Sequence, residues 1–380
     1  MVRNSRELVG KTAVIPASLE PSVFESKNIR LRLDTSMALP RFINYQLLAF
    51  GSRHFANNAQ QVVGMASISQ GQLADFPVVL TDLEAQRHVV AEIDKQFSRL
   101  DEAVANLQRV KANLQRYKAA VLKAAVEGRL VETEASIARR EGRCYETGEH
   151  LLGRVVQERR AKWVGRGPFP EPKFVDRASL PQLPKGWTWA TAEGVCDPVV
   201  DCHNKTAPYV DNGIPLVRTT NIRDGQLLME GMRFVDQQTY EFWSRRCPPL
   251  PGDVLFTREA PMGEACLVPK GMQLCLGQRT MLMRPSPAIE GSYLLAALLS
   301  PVISDLIGHV AVGSGVKHLR VGDVERLPIP LPPLAEQRRI AAEVDRRLSI
   351  LRGIESEVDA NLKRAQALRQ SVLAKAFQGA

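Results

Sequence analysis

Pro77-Val78-Val79-Leu80-Thr81-Asp82-Leu83-Glu84-Ala85-Gln86-Arg87 and Pro328-Ile329-Pro330-Leu331-Pro332-Pro333-Leu334-Ala335-Glu336-Gln337-Arg338 are two versions of one segment, 251 positions apart. From Gln86 to Gly128 the match runs on without a gap, and twelve of those 43 positions are identical in Gln337–Gly379. A repeat of this length means that one structural unit occurs twice. The duplication extends upstream. Gly64 and Gly71 match Gly315 and Gly322, and Asn28–Arg32 aligns with Arg279–Met283. With a small shift, Val9–Pro16 aligns with Met262–Pro269. The chain reads as a globular part and a long helix, then a second globular part and a second long helix.

The copies are unequal. The second globular part begins near Leu183-Pro184-Lys185-Gly186-Trp187 and runs far before reaching Gly252-Asp253-Val254-Leu255-Phe256. The first copy has no counterpart to that stretch, because Met1 falls where the second copy stands near Arg258. The expected organisation is a partial first domain at 1–76 and a helix at 77–130. A linker with a short helix follows at 131–183, then a second domain at 184–326 and a second helix at 327–380.

Both helices carry heptad seams. The first seam is Ile93, Phe97, Leu100, Val104, Leu107, Lys111, Leu114, Lys118, Val121 and Ala125. The second is Val344, Leu348, Leu351, Glu355, Val358, Leu362, Ala365, Arg369, Val372 and Ala376. Forty helical residues span about 60 Å, and an apolar seam that long needs a partner. The two equivalent helices are expected to pair antiparallel. The prolines at 328, 330, 332 and 333 are expected to stop a strand and pass the chain into the second helix.

The second globular part predicts an α+β domain. Strands are expected at Ile214–Arg218, Asp253–Thr257, Ala265–Val268 and Thr280–Met283, with one helix over Ser292–Ile307. Trp187 and Trp189 read as core anchors. The linker Val131–Leu183 reads as a charged helix through Glu158–Trp163, then an extended Gly/Pro-rich stretch.

The net charge of +9 permits a polyanionic partner. No run of eighteen apolar residues occurs, and Met1–Glu7 lacks the apolar core of a signal peptide, so the expectation is a cytoplasmic protein with no membrane partner. The six cysteines form no C-x-x-C pair and read as reduced thiols. Cys196, Cys202 and His203 lie close in sequence, but their spacing fits no zinc pattern. No phosphate loop is present. Gly313-Ser314-Gly315 has His318 where a dinucleotide fingerprint needs glycine. The histidines are scattered without a nucleophile partner. A binding protein with no catalytic site, metal or cofactor of its own is the expectation.

Leu327–Ile340, with its Pro-rich entry and Ala-Glu-Gln-Arg-Arg-Ile helix start, resembles the entry to the second conserved spacer helix of type I restriction-modification specificity subunits. Leu183–Trp187, Pro215–Ile222, Gly252–Phe256, Gln278-Arg279 and Gly313–Lys317 carry the same resemblance, and Glu158–Trp163 is similar to the family's inter-repeat connection. The likeness covers nearly the whole chain. It implies two target recognition domains, here with the first incomplete, separated by conserved helices that pair as an antiparallel coiled coil. Each domain would read one half of a split double-stranded DNA sequence. Methyltransferase (modification) subunits carrying S-adenosylmethionine and restriction subunits using ATP and Mg²⁺ would supply the chemistry. The alternative is a truncated, non-reading scaffold or regulatory protein that binds modification subunits through its helices.

Within that resemblance, Arg218, Thr219, Thr220, Asn221, Arg258, Arg279, Lys317 and His318 are the expected DNA contacts, because directed donors read base edges and cations bind phosphates. Arg30, Arg32, Arg53 and His54 are weaker candidates in the first copy.

Overall fold

The computed structural model of the chain describes residues 10–16, 18–19, 23–58, 60–62, 65–203, 205–313 and 315–378. Met1–Glu7, Val9, Gly64, Ser314 and Gly379, named above, lie outside the described residues. The chain divides into two compact units, Met1–Asn113 with Gly353–Ala380, and Leu114–Arg352.

In the first unit, α1 (Pro40–Gln46) starts on a proline, whose fixed φ suits the first helical position. It is followed by α2 (Ser52–Asn58), the β1 (Gln60–Val62) and β2 (Met65–Ser67) hairpin, and α3 (Gln70–Ala74). Next comes α4 (Leu83–Val126), which lies in this unit as far as Asn113. The core gathers Phe42, Ile43, Tyr45, Phe55 and Phe76 against Ile93 and Phe97 of α4. Leu373 and Phe377, from the far end of α12 (Leu334–Phe377), complete it. Phe377 meets Phe42 edge-on with ring centroids 5.3 Å apart.

The second unit contains α5 (Glu134–Glu141) and α6 (Gly148–Ala161), then β3 (Thr188–Thr191), α7 (Ala192–Val195) and β4 (Cys196–Asp201). β5 (Ile214–Val217), β6 (Ile222–Arg223), β7 (Gln226–Leu227), β8 (Arg233–Val235) and α8 (Gln237–Ser244) follow. The chain continues through β9 (Val254–Arg258), β10 (Met262–Leu267), β11 (Cys275–Leu276) and β12 (Thr280–Pro285). α9 (Gly291–Leu298), α10 (Pro301–Val310), α11 (Val321–Glu325) and β13 (Pro328–Leu331) lead into α12.

The main sheet has the order β10-β9-β12-β4, all antiparallel. Its central strand β9 is buried along its whole length, because both faces of the sheet are covered. Val254 and Phe256 face a core built with Tyr293, Leu294 and Ala297 of α9. Leu255 faces the other way, toward Val217, Ile222 and Leu274. β11, β5 and β8 form a smaller sheet beside it.

The expected strands are all present, but three segments differ from expectation. Pro328–Leu331 is itself a strand, paired antiparallel with Thr188–Thr191. A two-stranded ladder tolerates alternate prolines because it does not need every N–H, and Ile329 and Leu331 between them are buried. The single helix expected over Ser292–Ile307 is two helices meeting at 62°. Pro301 cannot continue α9, and the Ser300 hydroxyl accepts from the Ile303 N–H to cap α10. The linker holds two helices, and α6 docks Leu151 and Val155 on Ala288 and Leu334. Trp187 and Trp189 are buried as expected. The Trp187 indole N–H donates to the Glu336 carboxylate (3.1 Å), whose pKa burial raises.

Each seam residue of the two long helices is buried or half-buried. Their pairing is antiparallel within the first unit, where Lys111 Nζ meets Asp359 Oδ1 at 2.7 Å and Arg369 meets Asp101 at 2.6 Å. Two of the four polar breaks in the seams, Lys111 and Arg369, are thus partnered, and the Arg369 guanidinium also lies over the Phe97 ring at 4.5 Å. In the second unit Val121, Leu122, Ala125 and Val126 of α4 join a cluster with Ile340, Ala341 and Val344 of α12.

The duplication is reproduced in three dimensions. α3 and α11 begin and end 251 residues apart, and so do α4 and α12. Gly10 and Gly263 share a left-handed φ, 86° and 87°. Two side chains show the repetition most fully. Gln86 is completely buried; its amide N–H₂ donates to the carbonyls of Met37 and Thr81, and its oxygen accepts from the Leu39 N–H. Gln337 is also completely buried, donating to Ala288 and Pro332 and accepting from Glu290. Every partner is displaced by the same 251 residues.

Gln337→Ala strands two carbonyls and one N–H in the interior. A loss of about 3 kcal/mol in urea-unfolding stability is expected. An unchanged midpoint and slope would show that the three backbone groups find other partners.

Candidate nucleic-acid interface

Four loops of the second unit meet at one end of the main sheet. They are Arg218–Asn221 after β5, Glu259–Pro261 between β9 and β10, Gln278–Arg279 before β12, and the 315–318 loop before α11. A cleft of about 230 Å³ opens between the first and third of these loops, and its walls include Tyr209, Arg218, Thr219, Thr220, Gln278 and Arg279. Four of the eight residues expected to contact DNA therefore line one cleft.

Arg258 holds the loops together. It is buried, and its Nη2 lies 2.9 Å from Asp201 on β4. Its Nη1 donates to the Leu319 carbonyl at 3.1 Å. Its backbone N–H donates to Arg279 O, and its own carbonyl accepts from the Leu319 N–H. The guanidinium expected to reach DNA thus faces inward, its two terminal nitrogens met by the Asp201 carboxylate and the Leu319 carbonyl, because a buried cation needs a counter-charge. Asn221 is committed in the same way. Its amide nitrogen donates to Leu228 and Glu230, and its oxygen accepts from Arg218 N. The Arg218 guanidinium donates to the Gly231 carbonyl at 2.7 Å.

The remaining groups stand nearer solvent. Thr220 is exposed, and the Thr219 hydroxyl donates to Ala260 O, tying two loops. Arg279 is exposed, with φ +65°, an uncommon backbone conformation for a residue with a side chain. Its guanidinium sits 2.8 Å from Glu259. Lys317 is exposed, and its neighbour His318 bridges back to both Glu259 and Val312. Tyr209 and Thr206 escaped the sequence reading. Tyr209 is half exposed with the Arg233 guanidinium 5.7 Å from its ring centre, and its Pro-Tyr-Val context carries no signal of this place.

The weaker candidates of the first copy are spread out. Arg30 lies over Phe24, Arg30 and Arg32 border a cavity, and His54 packs edge-on against Phe55 and Phe76. Arg53 is exposed.

Among the described residues no group of three or more His, Cys, Asp or Glu side chains could hold a metal ion. Cys196 begins β4 and Cys202 directly follows it, and both are buried. His203 stacks on Trp243 with centroids 4.7 Å apart. Burial pushes the Cys266 and Cys275 thiols up to about 12 and raises those of Cys196, Cys202 and Cys247. No described single helix is long and apolar enough to cross a membrane.

Residues 205–361 match the type I restriction modification DNA specificity domain. The 205–361 stretch, within the second globular part and the start of the second long helix, thus carries that domain. The EcoBI specificity subunit of Escherichia coli is 23% identical over 368 residues, covering 95% of this chain and 69% of that subunit. The StySPI specificity subunit of Salmonella potsdam is 34% identical over 208 residues, covering 52% of this chain and 44% of that subunit. The chain spans less than half the length of StySPI and of the EcoKI subunit, which it also matches. A solved chain from work on assembly and conformational transition of the type I R-M system superposes with a TM-score of 0.65 at 20% identity. That superposition covers 99% of this chain and 80% of the other, and it establishes the shared fold.

Two outcomes follow from this geometry. Arg258→Met leaves Asp201 without its counter-charge and two loops without their tie, at a cost of about 3 kcal/mol; thermal unfolding beside the wild-type chain measures it, and an equal melting temperature would deny Arg258 this role. Native alkylation at pH 8 should modify only the exposed Cys144, whereas denaturation should open all six cysteines, as read by intact mass.

Proposed function

We propose that this chain is the DNA-reading subunit of a type I restriction-modification complex, and that the 184–326 domain reads one half of a bipartite double-stranded target. The observation that carries this is the convergence of Arg218, Thr219, Thr220 and Arg279 on one cleft, with the exposed Lys317 on the loop whose His318 bridges to Glu259. Cations and hydroxyls on loops tied to a rigid sheet suit groove readout, since phosphate contacts position the domain and base-edge contacts specify the sequence. In this reading Arg279, Thr220, Gln278 and Lys317 face DNA, while Arg258 and Asn221 fix the loops that present them. The first globular part, 1–76, serves the other half-site, and the long helices at 77–130 and 327–380 set the spacing.

Methyl transfer and cleavage belong to partner subunits that bring S-adenosylmethionine, ATP and Mg²⁺. Exposed apolar side chains on the helices within each unit support such docking. Val110, Ile354 and Leu368 are exposed on the helices in the first unit, and Tyr117 and Ile350 in the second. Exposed apolar residues in series along a helix face suit partner helices.

Selection from a randomised duplex library tests the reading. A selected duplex keeps its advantage over random DNA as salt rises, because base contacts depend less on released counterions than phosphate contacts do. Arg279→Ala should weaken the selected duplex about tenfold or more and relax one base position. Lys317→Ala should weaken all duplexes alike and flatten the salt slope by about one. Binding that enriches no sequence and vanishes with salt overturns the proposal.

A further inference from the structure

We propose, resting on the DNA-reading role given to this domain above, that Arg279 reads the guanine of a guanine·cytosine pair and that Glu259 is the residue that makes it a base reader instead of a phosphate contact. Glu259 stands on the loop between β9 and β10, and its Oε2 lies 2.8 Å from Arg279 Nη1. The Arg279 side chain is 46% exposed and that of Glu259 22%. An ion pair this open to water adds little to stability, so the fold has no need of it. Arg258, next to Glu259 in the chain, differs in having its guanidinium shut inside.

The backbones on both sides of the pair are nonetheless fixed. Ala260 O accepts from the Thr219 hydroxyl at 3.1 Å, and Pro261 O accepts from the Thr257 hydroxyl at 2.6 Å. Glu259 itself is bridged to His318. Across from it, Arg279 O accepts from the Arg258 N–H at 2.8 Å. Thr280 is completely buried and its hydroxyl donates to Gly277 O at 2.6 Å. The Gly277 N–H donates to Val217 O at 2.8 Å, and a Cβ at Gly277 would come within 2.8 Å of that same oxygen, so only glycine lets the turn approach β5 this closely. Two tied loops thus meet at an exposed guanidinium that a carboxylate already holds in place. A side chain ordered before binding loses less freedom on binding.

The charge of the pair decides what it suits. A phosphate brought to Arg279 also approaches the Glu259 carboxylate, and the two negative charges repel. The pair carries no net charge, so it gains little from a phosphate. Guanine O6 and N7 are neutral acceptors, and a guanidinium meets both at once. Adenine keeps N7 but puts an amine where O6 would be, and a guanidinium has no acceptor for it. Among the described residues no acceptor other than Glu259 meets the Arg279 guanidinium, which leaves N–H groups of the fork for a base edge. Glu259 Oε1 likewise meets no donor among the described residues, and a carboxylate oxygen is the acceptor that takes the N4 amine of cytosine. The uncharged Thr220 and Gln278 share the cleft with Arg279.

Selection from a randomised duplex library, run with the full wild-type chain, Arg279→Lys and Glu259→Gln, tests the pair. The wild-type chain should enrich a sequence containing one guanine that Arg279→Lys no longer selects, because an ammonium keeps the charge but lacks the fork. Discrimination at that position should fall about tenfold. Glu259→Gln should bind random duplex more tightly, with a salt slope steeper by about one, since the released guanidinium takes a phosphate. Its preference for the same guanine should fall. Far-UV circular dichroism beside the wild type controls for folding. A Glu259 that only held the loop would, when replaced, weaken binding to every duplex and leave the salt slope unchanged, which overturns the proposal. Full guanine preference in Arg279→Lys, or loss of preference for a base other than guanine, overturns it as well. Any of these results from a wild-type chain that does enrich a sequence refutes the guanine assignment alone, whereas a wild-type chain that enriches none refutes DNA reading itself.

Discussion

Each long helix is secured to its globular part by one uncharged side chain that no water reaches. Gln86 and Gln337 each satisfy three backbone groups on segments that would otherwise end in unpaired carbonyls and an unpaired N–H. A buried amide with all its partners fixes the angle at which a helix leaves a domain, because any tilt breaks several bonds at once. The course of each helix within its own unit depends on that angle. Leu122 and Val126 close the core of the second unit, and their counterparts Leu373 and Phe377 close that of the first. Each globular part is thus finished by the helix that began on the other.

The two long helices and their seams were legible in the sequence, although they run over Leu83–Val126 and Leu334–Phe377 and not the whole of 77–130 and 327–380. A seven-residue repeat of apolar positions survives any tertiary context, and the duplication marked both copies in the same register. The central strands were legible because Val254-Leu255-Phe256 and Met281-Leu282-Met283 are short apolar runs bounded by turn residues. Three features were hidden for separate reasons. Pro328–Leu331 reads as a strand terminator until the position of β3 is known. The bend at Ser300-Pro301 falls inside an unbroken apolar pattern, which carries no phase information about a cap. The docking of α6 depends on Leu151 and Val155 meeting Ala288, more than a hundred residues away.

The site was only half legible, and the division has one cause. A sequence shows which side chains can donate to DNA but not which of them the fold needs for itself. Arg258 ends a strand whose every residue is buried, so its charge must be answered internally by Asp201. Asn221 stands three residues after Arg218 and closes a turn on it. Arg279, Thr220 and Lys317 lie just beyond those fixed points and remain exposed. In the proposed reading, recognition is arranged in two tiers, with inward polar groups shaping the loops and outward ones facing DNA.

The boundary between the two units crosses both long helices, between Asn113 and Leu114 and between Arg352 and Gly353. Change in helix length is therefore constrained to occur twice. One residue added to a single helix turns everything beyond it by about 100°, which carries its apolar side chains out of the seam. A whole heptad added to one helix alone restores the phase but leaves that helix longer than its partner. Only matched heptad insertions in both copies preserve the seam and the two closing contacts together. A tandem gene duplication that diverges freely in its globular parts must, in these helices, keep evolving as a pair.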